Sequence, residues 1–216
     1  MHLRRSDIQN LERIKRLNLI NSISGIKPAN LIGTISNDGA TNLAIFSSVL
    51  HLGSNPPVFG IVSRPTREVK RHTYENILEN GYYTINHIHE EIAQQAHFTS
   101  AKFKKDESEF TMCNLTEEYL FDFKAPFVKE SKLKIGLKHI QNIPIDINQT
   151  ILIIGKVEHI ILPETAADSD GHIDLSLLKE VGISGLNTYY SLKKIAKFPY
   201  VRREDVASIK KNTKNQ

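Results

Sequence analysis

The sequence predicts a mainly β protein with added helices, an α+β chain built on an antiparallel barrel, and three observations carry that prediction. Runs of strand-forming residues follow one another at hairpin spacing and outnumber the helical stretches. Strand and helix do not alternate regularly, as a doubly wound sheet requires. No internal repeat or low-complexity linker divides the 216 residues. One domain over residues 1–216 is therefore expected, with its core at about 25–160, an N-terminal helix at about 7–17 and a C-terminal appendage at about 165–216.

Ile8, Leu11, Ile14 and Leu17 recur at three-residue steps, which predicts an amphipathic helix over Asp7–Leu17. Leu31–Ile35 and Asn42–Leu50 flank Ser-Asn-Asp-Gly at 36–39, and an Asp-Gly pair between two β-rich runs marks a hairpin. A third strand, Val58–Ser63, is entered through Pro56-Pro57, which cannot sit in a central ladder. A helix is expected from Arg67 to Glu79, ended by Asn80-Gly81 as a left-handed cap. Tyr82–His89 reads as a strand and Glu90–His97 as a helix. The charged stretch Ser100–Asp122 reads as a loop with irregular pieces, a lid or a dimer arm. Lys132–Lys138 alternates polar and apolar, predicting a strand with one wet face, and the isoleucine-rich Thr150–Leu162 a more buried one. Tyr189, Tyr190, Leu192, Ile195 and Phe198 suggest an amphipathic segment packed on the barrel.

Charge and composition exclude several classes. The net charge is +4, yet residues 1–16 and 202–216 each carry five basic and two acidic side chains, so the body between them is net −2. With the positive excess confined to the ends and no basic face interleaved with aromatics, nucleic acid is not an expected partner. No apolar run is long enough to span a bilayer. Cys113 is the single cysteine, so no intrachain disulfide forms. Together with the lack of a secretory signal at Met1–Asn10, this points to the cytoplasm. Cys113 has no helix start or basic neighbour to activate it and reads as a buried, inert thiol.

Two segments could carry chemistry. The strand at 42–50 is polar on neither face, so it is covered on both: by the core on one side, by a partner subunit or ligand on the other. Ser47 and Ser48 fall in that covered region, where hydroxyls need partners. On this strand alone, backbone-bonded serines in an ordinary hairpin strand are the simpler account. The stretch Ser63–Thr73 turns from strand to helix and holds Arg64, Arg67, Lys70 and Arg71 against one acid, Glu68. Free N–H groups at a helix start and guanidinium forks both suit a phosphate. A solvated basic helix face fits the same residues. Thr73 lies between Val69 and Ile77 on the inward face, where its hydroxyl needs a partner. His87, His89 and His97 are the candidate metal ligands, but the third would have to fold back over a helix, and no metal site is expected. Ser47-Ser48 lacks the glycines of a nucleophile elbow, which argues against a serine hydrolase.

Taken in order, Asn42-Leu-Ala-Ile-Phe-Ser-Ser48, Asn55-Pro-Pro57, Ser63-Arg-Pro-Thr66, Arg71-His-Thr-Tyr-Glu-Asn-Ile77 and Tyr83-Thr-Ile-Asn86 resemble the flavin reductase-like family, with its FMN-binding split barrel. The resemblance covers roughly residues 25–160 and fades toward Gly185-Leu-Asn-Thr-Tyr-Tyr190. It implies a homodimer with FMN near the subunit interface and the strand bearing Asn42, Phe46, Ser47 and Ser48 beside the isoalloxazine ring. It also implies a phosphate end formed by Ser63, Arg64, Thr66 and Thr73, with Asn86 close to the flavin and Ser100 at a late binding position. One of Tyr189 and Tyr190 would approach the flavin by the same analogy. The implied activity is NAD(P)H-dependent flavin reduction. Hydride passes from NADH or NADPH to flavin N5, no protein acid–base pair is required, and a monooxygenase or redox protein takes the electrons. The alternative is an FMN-holding electron carrier between protein partners without nicotinamide turnover, and a weaker one is a flavin-binding module with no redox turnover.

Overall fold

The computed structural model describes residues 1–65, 71–203 and 205–206. Two short helices, α1 (Arg5–Asn10) and α2 (Arg13–Ser22), lead into strands β1 (Lys27–Pro28), β2 (Asn30–Ile35), β3 (Thr41–Phe46), β4 (Val49–Ser54) and β5 (Pro57–Ser63). Helix α3 (His72–Asn80), strand β6 (Tyr82–His87) and helices α4 (Ala93–Phe98) and α5 (Glu109–Met112) follow. The chain continues through β7 (Glu117–Glu118), β8 (Phe127–Val128), β9 (Lys134–Ile145), β10 (Thr150–Ile161), β11 (Val181–Ser184) and β12 (Thr188–Ser191).

The main sheet has the order β3-β2-β6-β9-β10-β5-β4, and every ladder in it is antiparallel. Its two end strands, β3 and β4, are consecutive in the chain and separated only by Ser47-Ser48. Three Cα–Cα steps from Phe46 to Val49 reach at most about 11 Å. The sheet therefore curls until its ends lie side by side, tied by the chain itself. The single strand expected over Asn42–Leu50 is thus two strands that pair with different neighbours, β3 with β2 and β4 with β5. The break falls at the two serines, where the Ser48 hydroxyl competes with the ladder for backbone groups. Val49 pairs with Ile61, so the next partner of Ser48 is Val62. There the Ser48 hydroxyl donates to the Val62 carbonyl (3.1 Å) and accepts its N–H (3.3 Å) in place of a backbone pair.

Curling gives the sheet an inner and an outer core. Ile32, Ile61, Tyr83, Ile85, Leu137 and Ile153 fill the inside. Leu31, Leu43, Ile88, Phe110, Val128 and Val181 form a second cluster outside. Strand β2 is buried on both faces because Leu31 points to one cluster and Ile32 to the other. Leu43 and Ile45 of β3 accordingly pack into the chain's own outer core. Gly155 is required inside: a Cβ there would stand 2.2 Å from the hydroxyl of buried Tyr83.

Several local expectations are corrected. The N-terminal helix is two helices, because Leu11 is extended and the Glu12 carboxylate caps α2 by accepting the N–H groups of Ile14 and Lys15, both at 3.0 Å. The strand from Tyr82 ends at His87, and a 3-10 turn at Glu90–Ile92 precedes α4. Lys134, on the face of β9 expected to be wet, is buried and pairs with Glu118, because the segment carrying β7 and β8 folds over it. Within 100–122, α5 docks on β3 and β7 pairs with β8. Tyr189 and Tyr190 lie in β12, which joins β11 and β1 in a small sheet. Ile195 and Phe198 stay 96% and 81% exposed and do not pack on the barrel. The described part of the expected helix at 67–79 is α3, closed by Gly81 at φ +78°. Among the described residues, no helix is long and apolar enough to cross a membrane.

Candidate functional site

The Asp-Gly hairpin sets the site. Its register pairs Thr34 of β2 with Asn42 of β3, and α3 lies across both strands. Thr73 and Asn76, three residues apart on α3, present the same helix face to that pair. The result is a buried polar network. Asn42 Nδ2 donates to Thr73 Oγ1 (3.0 Å) and to Thr34 Oγ1 (3.3 Å), and Asn76 Nδ2 donates to Thr34 Oγ1 (3.2 Å). A small cleft opens beside it, lined by Asn42, His72, Asn76, Lys104, Lys105 and Glu107 among others.

The residues expected at a phosphate end lie at the exit of β5 and the start of α3. Ser63 is buried, with its hydroxyl 3.3 Å from the Arg64 carbonyl, while Arg64 is exposed. Thr66, with Arg67 and Lys70, lies outside the described residues. At the start of α3, the cap residue Arg71 supplies no side-chain cap, so the first-turn N–H groups point out unpaired by the helix. Two donors thus flank the connection in sequence, the exposed Arg64 guanidinium after β5 and the helix start with its inward threonine after it.

The seam between β3 and β4 is the second element. Phe46 is half-buried against the inner core; Ser47 and Ser48 are half-buried. Ser48 is spent on Val62, and Ser47 makes no side-chain bond to a described residue. Asn86 is different. Its Nδ2 donates to the Leu31 carbonyl (3.2 Å) and Thr84 Oγ1 (2.8 Å), and its Oδ1 accepts the Val128 N–H (2.9 Å). Fully buried, its amide ties β6 to β2 and β8. Ser100 is exposed in the turn after α4, its N–H donating to the His97 carbonyl (3.0 Å).

The histidines do not converge. His87 Nδ1 lies 2.6 Å from Glu180 Oε2, His89 Nε2 lies 3.0 Å from the Glu130 carbonyl, and His97 Nδ1 lies 3.1 Å from the Tyr189 hydroxyl. Among the described residues no His, Cys, Asp or Glu group could hold a metal. Burial raises the Tyr189 hydroxyl to about 12, so it serves His97 as a neutral hydroxyl. Cys113 is buried, and burial raises its thiol with a further push from the Glu109 charge.

Sequence reasoning missed Thr34, Asn76 and Glu109. The first was within reach, since the turn at 36–39 fixes its pairing with Asn42. Glu109 carries no local signal. Its carboxylate reaches 66 residues back along the chain to accept the Leu43 N–H of β3 (2.9 Å), and burial raises its pKa against that bond.

The architecture matches known proteins. The model of the flavin reductase like domain matches residues 26–178. A proposed flavin reductase with a split barrel domain from Shewanella frigidimarina NCIMB 400 is 49% identical and superposes with a TM-score of 0.90 over 93% of this chain and 100% of that one. Nitrilotriacetate monooxygenase component B from Bacillus cereus shares the fold at 19% identity, with a TM-score of 0.81 over 92% and 98% of the two chains. Flavoredoxin of Desulfovibrio vulgaris (Miyazaki F) shares it at 23% identity, with a TM-score of 0.71 over 81% and 91%. A mainly antiparallel sheet whose ends meet at one two-residue step is the split barrel of these proteins, and the chain belongs to the flavin reductase-like family.

Proposed function

We propose that this protein holds FMN and reduces flavin with NADH or NADPH, working as a homodimer. The observation that carries the reading is the set of donors flanking the β5–α3 connection, Arg64 where it leaves β5 and the start of α3 where it ends. Arg64, the Thr73 hydroxyl and the unpaired first-turn N–H groups of α3 are the groups that charge-assisted phosphate binding uses. FMN, when bound, would supply the redox chemistry as a hydride acceptor.

This chain's residues bind and orient. Arg64, Ser63 and Thr73, with Thr66 outside the described residues, hold the phosphate end. Ser47 and Ser48 at the seam, reached from Asn42 along β3, would face the ring, with Phe46 packed behind them on the inner core. Asn86 acts on the ring from behind, by fixing β6 against β2. Ser100 sits after α4 as a late contact. No side chain is assigned a catalytic proton, because hydride transfer to a flavin needs none from the protein.

Exposed apolar side chains support the dimer. Leu50 and Leu52 on β4 and Ile140 and Ile143 on β9 are 40–53% exposed in the single chain, where a second copy would cover them. Likeness to a monooxygenase component B supports a monooxygenase as the consumer of reduced flavin.

The test is an absorbance spectrum of the purified protein with and without FMN, followed by anaerobic addition of NADH or NADPH. A flavin band that bleaches supports the reductase and identifies the donor. Bound flavin that stays oxidised replaces the reductase with an electron carrier between protein partners. No flavin binding ends both readings.

A further inference from the structure

We infer that Thr34 and Asn76 are positioning residues that set the direction of the Thr73 hydroxyl, so that its proton is offered to a flavin phosphate. The inference rests on the FMN reading above and concerns side chains that do not themselves touch the ligand.

A hydroxyl has one proton to give and two lone pairs to receive, and a primary amide has two N–H donors. Both Asn42 N–H donors are assigned, one to Thr34 Oγ1 and one to Thr73 Oγ1. Thr34 Oγ1 also receives the Asn76 amide, so both of its lone pairs face donors and none is left to draw a proton from elsewhere. The Asn42 amide therefore keeps its nitrogen turned toward the two threonines. Thr73 receives from Asn42 and cannot spend its proton there. No described residue accepts that proton.

Burial makes this arrangement directional. Thr34 and Asn76 are 0% and 3% exposed, and Asn42 and Thr73 are each 7% exposed, so water does not compete for the bonds. A hydroxyl that accepts a hydrogen bond is also a better donor, because the bonds polarise one another. Thr73 occupies the second position of the nine-residue α3, among N–H groups left unpaired by the helix. The O–H and those N–H groups form one donor set at the helix start.

A network that served only to hold β2, β3 and α3 together would alter stability without regard to what the flavin carries. The measurement is therefore a ratio: the Kd for riboflavin, which lacks the phosphate, over the Kd for FMN, in the full-length folded protein. Thr34→Val keeps the shape and removes the acceptor. The ratio is expected to fall about tenfold in Thr34→Val, the worth of one charge-assisted hydrogen bond, with riboflavin affinity unchanged. Thr34→Ser should restore it. Asn76→Ala, the second variant should Thr34→Val fail to fold, should lower the ratio by a smaller factor. A wild-type protein that binds FMN no better than riboflavin overturns the phosphate site itself. A wild-type preference that survives in the folded Thr34→Val or Asn76→Ala protein overturns the positioning role and leaves the site standing.

Discussion

Two buried asparagines flank the same strand and are used in opposite ways. Asn42 on β3 and Asn86 on β6 both neighbour β2, and each donates an amide N–H to a threonine hydroxyl. At Asn86 the circuit closes. Thr84 accepts at 2.8 Å and passes its own proton to the Pro126 carbonyl at 2.7 Å, while the rest of the Asn86 amide goes to Leu31 and Val128 backbone. At Asn42 the circuit stays open, since Thr73 accepts at 3.0 Å and its proton goes to no described residue. A side chain whose bonds end on backbone braces the fold, whereas one whose bonds end on a hydroxyl at a helix start prepares a donor. Residue type and burial alone would not separate the two.

The largest expected effect breaks the closed circuit. Asn86→Ala leaves the Val128 N–H, the Leu31 carbonyl and the Thr84 lone pair short of partners in a dry interior, and should cost about 3 kcal/mol of stability in urea unfolding. The folded fraction should keep its affinity for FMN. If Asn86→Ala is as stable as wild type but binds FMN poorly, Asn86 contacts the flavin directly and the contrast with Asn42 is wrong.

The open side is tested at its charged member. Arg64 is exposed and makes no ion pair with a described residue, so removing it should leave stability within about 0.5 kcal/mol. Arg64→Ala should instead weaken FMN binding by about 2 kcal/mol through the loss of a charge-assisted phosphate contact. Fluorescence titration with FMN, and with riboflavin as the control lacking phosphate, measures it. An equal loss for both flavins would move Arg64 from the phosphate to the ring.

How much of this was legible in the sequence follows the range of the interactions involved. The hairpin at 36–39 depends on four adjacent residues, and the register that faces Thr34 with Asn42 came with it. The left-handed end of α3 at Gly81 is equally local. The inward Thr73 followed from helical spacing, but its partner did not, because Asn42 is 31 residues away. The break at Ser47-Ser48 was hidden because Asn42–Leu50 has no glycine or proline to mark a change of neighbour. The stretch 100–122 was opaque for a further reason. Its pieces are short and held by side chains reaching distant strands, Glu109 to Leu43 and Glu117 to Thr41 at 2.6 Å. In the C-terminal region, Tyr189 and Tyr190 obey a strand period that a five-residue apolar pattern does not distinguish from a helix turn.

The seam offers a smaller test. Ser48→Ala removes the one hydroxyl that satisfies both backbone groups of Val62, in a half-buried position where water can partly replace it. The expected cost is about 1 kcal/mol in stability. If the seam faces the ring as proposed, the flavin absorbance maximum or midpoint potential should shift in the same variant. A stability change with an unmoved spectrum would make Ser48 a brace like Asn86, and leave Ser47 to face the flavin.

The smallest expected effect concerns Glu109, which caps the outer edge of β3 at a cost. Burial raises its folded-state pKa above the ordinary 4.5, so the folded protein holds this proton more tightly than the unfolded chain does. The sign follows by linkage: the stabilising contribution is complete below the unfolded pKa and is lost as pH rises through the folded one. Glu109 sits in a dry site, where its carboxyl group accepts the Leu43 N–H. Glu109→Gln keeps an acceptor for that N–H and removes the charge. Its stability relative to wild type should therefore improve as pH rises above the ordinary carboxylate range, and the two proteins should converge toward acid. Urea midpoints at pH 4, 5.5 and 7 measure this. A glutamine variant that loses ground as pH rises would mean the charge itself holds β3, through a donor stronger than one backbone N–H.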